Sequence, residues 1–120
     1  MRMKQSRVRT ISLKARIVTK DSEGVPEITY GNAIEMHGEV WPATSRLQVE
    51  TYGDRINGIM NVRVRGAYEV VMDENVTGYK FVAGTIHEGD GVCINSADEP
   101  DYKVISIKPY KPLRMEIERL

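Results

Sequence analysis

The feature that most restricts this chain is a strict two-residue alternation, repeated in short runs. Ile11, Leu13, Ala15 and Ile17 alternate with Ser12, Lys14 and Arg16. A period of two sends successive side chains to opposite faces of an extended strand, whereas a helix would need a period near 3.6. The same pattern returns in Ile34, Met36, Gly38 and Val40 against Glu35, His37, Glu39 and Trp41, ending at Pro42, which has no amide to donate. It recurs in Met60, Val62 and Val64 against Asn61, Arg63 and Arg65, and in Leu113, Met115 and Ile117 against Arg114, Glu116 and Glu118; Tyr68 to Met72, Val92-Cys93-Ile94 and Tyr102 to Lys108 read as further short strands between turns. Between these runs stand turn formers: Asp21-Ser22-Glu23-Gly24 with Pro26 and Gly31-Asn32 beyond it, Gly66, Gly89-Asp90-Gly91, and Pro109 to Pro112. Residues 73–88 alternate poorly and read as a loop with a short strand inside. The expectation is an all-β fold, a small antiparallel β-barrel or sandwich of about six or seven strands with long loops.

One segment departs from the pattern. Ser45 and Gln48 have the spacing of a capping box, residues 46–52 follow, and Gly53 stands where a left-handed C-terminal cap belongs. This predicts one short helix of about two turns, too short to persist without packing on something. Leu47 and Val49 are the side chains expected to be buried by that packing.

With 120 residues, the chain is expected to form a single domain over residues 1–120. A hydrophobic content of 41% suffices for a core without a staple. The one cysteine, Cys93, cannot form an intrachain disulfide, and with only two histidines a Cys/His zinc site lacks ligands. No apolar run reaches the roughly 18 residues of a membrane span, so a soluble protein with no membrane association is expected. No Gly-x-Ser-x-Gly, HExxH, P-loop or GxGxxG motif is present, and neither catalysis nor a cofactor is expected. His37 with His87, and the acidic tract Asp98, Glu99 and Asp101, are the weak metal candidates. Both read more simply as surface groups, and Cys93 as a small hydrophobe.

Charge is balanced overall but unevenly placed. Arg2, Lys4, Arg7, Arg9, Lys14, Arg16 and Lys20 make the first twenty residues wholly basic, leaving the remainder net acidic. A basic arm over residues 1–10 therefore suits either phosphate contacts or an acidic neighbouring copy, and head-to-tail association follows naturally from such asymmetry. No aromatic stands among those residues to stack on a base.

The order of these features resembles the head-closure, or head-tail joining, proteins of tailed bacteriophages, also termed connector or stopper proteins. The likeness runs through the basic start, Asp21-Ser22-Glu23-Gly24, His37-Gly38-Glu39-Val40-Trp41-Pro42, the polar segment 43–57, and Asn61-Val62-Arg63-Val64-Arg65-Gly66. It continues through Gly89 to Ile94, Tyr102 to Ile107 and the last alternating strand. Ser45-Arg46-Leu47 departs from the family's usual start of the polar segment, and residues 73–88 are longer than usual. The resemblance implies a β-barrel without catalytic activity, assembled as a homo-oligomeric ring of twelve or six copies in the virion after synthesis in the host bacterial cytoplasm. Such a ring would contact the portal or head adaptor on one side and the tail or a tail-completion protein on the other. Packaged double-stranded DNA would pass through its lumen, and the ring would retain the genome. A tail-completion (terminator) ring and a small β-barrel nucleic-acid-binding module are the alternatives.

Within that reading, residues 43–58 are the expected closing or lumen loop, with Arg46, Gln48, Glu50, Tyr52, Asp54, Arg55 and Asn57 as its polar groups. An ordinary surface helix on its own barrel is the competing expectation for the same segment. Arg2, Lys4, Arg7 and Arg9 are candidates for an inter-subunit or DNA-facing arm. Trp41 is expected to anchor packing or an interface where its strand ends. Because the strands at 60–65 and 113–118 supply a core face but no broad apolar patch, a monomer or weak oligomer is expected in isolation.

Overall fold

A computed structural model describes residues 8–95 and 98–120 of the chain. Nine strands and one α-helix follow in order: β1 (Arg9–Lys20), β2 (Pro26–Pro42), α1 (Arg46–Tyr52), β3 (Ile59–Val64), β4 (Glu69–Asp73), β5 (Val76–Lys80), β6 (Thr85–Ile86), β7 (Gly91–Cys93), β8 (Tyr102–Lys108) and β9 (Leu113–Arg119). A 3-10 turn, Gly53–Gly58, joins α1 to β3. Six strands close an antiparallel barrel in the order β1-β2-β3-β9-β8-β7, and β4-β5-β6 form a separate three-stranded sheet. The all-β barrel expected from the alternation is the fold observed.

The core follows from parity within each run, and in β8 a register shift between Val104 and Ser106 brings Val104 and Ile107 to the same face. Ile11 and Leu13 of β1, Met36 of β2, Val62 and Val64 of β3, Val104 and Ile107 of β8, and Leu113, Met115 and Ile117 of β9 all point inward and are buried. Gly38 stands where β2 crosses β3 most closely; a Cβ there would lie 2.4 Å from the carbonyl oxygen of Arg63, so a larger residue would push the strands apart. The three-stranded sheet adds Tyr79, Phe81 and Ile86 to the same core, with Tyr68 packed edge-on to Tyr79 at 6.1 Å and tilted over Phe81 at 5.3 Å.

Three sequence expectations need correction. Residues 73–88, expected to be a loop with one short strand, hold two: Glu74 and Asn75 take positive φ (48° and 68°) and turn β4 into β5 as a two-residue hairpin, and β6 follows after residues 81–84. Positive φ at both central residues matches the right-handed twist of the flanking strands, and Asn tolerates it better than most residues. Gly31-Asn32 is no turn either: β2 continues through it, and the two residues face Ala15 alone, which makes them the wide side of a β-bulge. Finally, Ala15 and Ile17 do not continue the buried face of Ile11 and Leu13. The β1–β2 register shifts between Lys14 and Arg16, a bulge, and past it the strand leaves the barrel.

That bulge sets the shape of the molecule. Only Ser12 to Lys14 of β1 pairs with β7; at Arg16 the amide donates to the Asp90 carboxylate at 3.3 Å, and from there outward β2 is the one neighbouring strand of β1 among the described residues. The result is a two-stranded hairpin projecting from the barrel, turning at Asp21 to Val25. Asp21 fixes the turn: its carboxylate accepts the amides of Glu23 and Val25, both at 2.9 Å, and Gly24 supplies a φ of 80°. Ile17, Val18, Val25 and Ile28 on this hairpin are each about half exposed or more.

Candidate functional site

The segment expected to close a lumen lies folded against the outer wall of its own barrel. Ser45 caps α1 with its hydroxyl on the Gln48 amide at 3.2 Å, and Gln48 returns its side chain to the Ser45 amide, completing the capping box read from the sequence. Gln48 and Tyr52 stand at i and i+4 on one face of α1, and Arg55 follows in the 3-10 turn. In most proteins that spacing carries the apolar face. Here it carries polar groups, and these are what bind the barrel.

Their target is Glu116 on β9, whose outward side chain is 4% exposed because α1 lies over it. Gln48 Nε2 donates to Glu116 Oε2 at 2.8 Å and to Asn61 Oδ1 on β3 at 2.6 Å. The Tyr52 hydroxyl donates to Glu116 Oε1 at 3.0 Å, and the Lys108 ammonium lies 3.3 Å from the same oxygen. Arg55 adds a bidentate pair to Glu118, at 2.8 and 2.7 Å. Burial by itself pushes the Glu116 carboxyl up, but the hydrogen bonds from Gln48, Tyr52 and Lys108, with the Lys108 charge, outweigh it and hold the group below its ordinary value. The Arg55 hydrogen bonds hold Glu118 down in the same way. Tyr52, desolvated and hydrogen-bonded to a carboxylate, is pushed up to about 12.

Leu47 and Val49, expected to seek burial, are 73% and 46% exposed. The reason is geometric: with Gln48 and Tyr52 committed to Glu116, the intervening apolar side chains turn away. Arg46 and Glu50 pair with each other at 3.4 Å on the exposed side, and Asp54 and Asn57 are exposed in the 3-10 turn. The candidate loop residues thus divide into Gln48, Tyr52 and Arg55, which bind the barrel, and Arg46, Glu50, Asp54 and Asn57, which face outward. Glu116, Asn61 and Lys108 were missed in the sequence because each occupies an outward position of an alternating strand. The signal that could have pointed to a polar docking face was the pair Gln48 and Tyr52, one helical turn apart.

A second cluster surrounds Trp41. It sits half-buried at the end of β2, with the Arg63 guanidinium 5.2 Å and the Arg114 guanidinium 5.3 Å from its ring centroid. Both lie within cation–π range. Arg63 and Arg114 are directly opposed across β3 and β9, an arrangement that costs repulsion between like charges. Glu39, 3.8 Å from Arg63, offsets part of it.

The basic arm is only partly within reach. Arg2, Lys4 and Arg7 lie outside the described residues. Arg9 is the first residue of β1 and donates to the Ile94 carbonyl at 2.7 Å; Lys14 reaches the Asp98 carbonyl. These two cations therefore clasp the segment after β7. Asp101, named as a metal candidate, accepts the Ile94 and Asn95 amides at 2.7 and 2.8 Å and fixes the same segment. His37 neighbours Thr10 at 3.4 Å, whereas His87 lies 3.9 Å from Asp90. Among the described residues no group of three His, Cys, Asp or Glu side chains could hold a metal ion, and no helix is long and apolar enough to cross a membrane. Cys93 is buried in the β7 wall, and burial pushes its thiol up.

Comparison with protein-family models, with curated proteins and with solved structures gave no match for this chain.

Proposed function

We propose that the chain is a structural ring subunit of a tailed-phage head–tail junction, of the head-closure kind, that retains packaged DNA and presents a docking surface to the tail. The observation that carries this reading is the projecting β1–β2 hairpin. A small barrel with a complete core that also extends an arm bearing Ile17, Val18, Val25 and Ile28 into solvent is built for contacts with neighbours. The sequence resemblance supplies the setting, and a compact barrel with long loops is the fold that resemblance implies. In this reading α1 and the 3-10 turn line the ring wall, with Arg46, Glu50, Asp54 and Asn57 offered to the lumen or to an adjoining ring.

The test uses phage heads assembled and filled without this protein. Adding purified protein is expected to stop DNA leakage and to let tails join. Unchanged leakage and no tail joining would overturn the reading; tail joining without any effect on leakage would favour a tail-completion ring. The Trp41, Arg63 and Arg114 cluster favours one other reading, a nucleic-acid-binding barrel, because an aromatic among guanidiniums suits both bases and phosphates. Binding of short DNA that survives moderate salt would support that alternative.

A further inference from the structure

β2 carries two unlike patches at its two ends. At its start is the hairpin tip, where Asp21, Glu23 and Glu27 give three carboxylates with no basic residue between positions 21 and 27, beside exposed Val25 and Ile28. At its end is Trp41 with Arg63 and Arg114, two guanidiniums opposed across the strands and both beside the indole, with Glu39 paired to Arg63. One patch is anionic and apolar, the other cationic and aromatic. Fifteen steps of extended strand separate Pro26 from Trp41, about 50 Å if straight, and the longest dimension of the molecule is 48 Å. The patches stand at opposite ends of one continuous strand.

We propose that the hairpin tip of one copy docks on the Trp41, Arg63 and Arg114 face of a second copy, in a head-to-tail contact between identical chains. Carboxylates of the tip would relieve the repulsion between the opposed arginines, and Val25 and Ile28 would cover the indole edge. Because the two contacting surfaces differ, a pair of copies keeps one free tip and one free face, and the contact repeats until it closes a ring or runs on as a filament. A tip of this size falls short of the roughly 800 Å² per partner of a standard interface, so a single contact is weak and gains strength only when a ring closes or a template aligns the copies. The contact deepens the ring reading above and rests on it. It is measured on the free chain in solution, so its failure is distinct from a failure of head closure, which is read on particles.

Trp41 is the sole tryptophan, so its fluorescence reports on this face alone. Raising the concentration of the full chain into the high-micromolar range at low salt is expected to shift Trp41 emission to shorter wavelength, in step with a rise in sedimenting mass. Both effects should weaken at high salt. Glu23→Lys with Glu27→Lys, and separately Arg114→Glu, should each weaken association by about tenfold or more, and the chain carrying all three changes should recover most of it. Circular dichroism confirms that each variant is folded; should Arg114→Glu fail to fold, Arg114→Gln gives the same reading without recovery. A chain that stays monomeric throughout, or association that leaves Trp41 emission unchanged, would overturn the proposal. So would single reversals without effect, or a Trp41 response to short DNA but not to protein concentration.

Discussion

The two halves of the β1–β2 pair make an instructive contrast. Near the barrel, Ile11 and Leu13 are almost wholly buried; beyond the bulge, Ile17 and Val18 are about half exposed, though the strand is continuous and its apolar content similar. The first half has a second neighbour, β7, and a core beneath it. The second half has only its hairpin partner. Burial of a strand face thus depends on what lies across from it, not on the alternation that creates the face. The wall under α1 gives the converse: Asn61 and Glu116 are polar, outward by parity, and yet buried. They are held by hydrogen bonds, while the hairpin's apolar groups are only about half covered.

Leu13→Ala should show the largest effect, a loss of about 3 kcal/mol from the transfer and cavity terms of a buried leucine. Urea unfolding would measure it, and a loss below about 1 kcal/mol would mean that the proximal half is no better packed than the distal half. Next comes the polar wall. Glu116→Gln keeps the shape but takes the charge from Lys108 and Tyr52, and should cost about 2 kcal/mol at neutral pH, as for hydrogen bonds to a charged group.

The same variant sharpens the pH dependence. Glu116 and Glu118 have folded values below their unfolded ones, so their stabilisation is present above the ordinary glutamate value and is lost as pH falls through the depressed folded values. Asp90 opposes this: burial pushes its carboxyl up despite the amides of His87 and Arg16, so its ionisation disfavours the fold as pH rises. Wild type should lose stability in acid, and Glu116→Gln should flatten that slope; an unchanged slope would remove Glu116 from the account.

Trp41→Ala should cost about 1–2 kcal/mol, less than a fully buried aromatic, because the ring is half-covered and its gain comes from two cation–π contacts. At the bottom stands Ile28→Ser on the distal hairpin, expected to change stability by less than about 0.5 kcal/mol while weakening self-association. A large drop in melting temperature for Ile28→Ser would erase the distinction between the two halves.

Most strands could be read from the sequence because a half-buried strand writes its faces into the order of residues. β8 was read at its observed bounds and β9 to within two residues, and Pro42 marks the end of β2 in both descriptions. The capping box at Ser45 and Gln48 located α1 to the residue, since caps are local chemistry. β5 and β6 were less legible: Gly78 interrupts the first, and the second is two residues long. The expectation that exposed apolar surface would be slight looked to β3 and β9, where it holds, and missed the hairpin.

By itself the sequence determined the all-β class, the single helix and the residues that could enter a core, because periodicity, turns and caps are properties of neighbours along the chain. Tertiary structure alone decided where β1 leaves the barrel, that α1 docks by its polar stripe, and that Trp41 lies between Arg63 and Arg114. Each of these depends on which strand lies alongside which, and closure of the β1-β2-β3-β9-β8-β7 ring brings together positions as distant as Gln48 and Glu116. Local pattern offers a face; only the closed barrel determines whether that face meets a core, a helix or solvent.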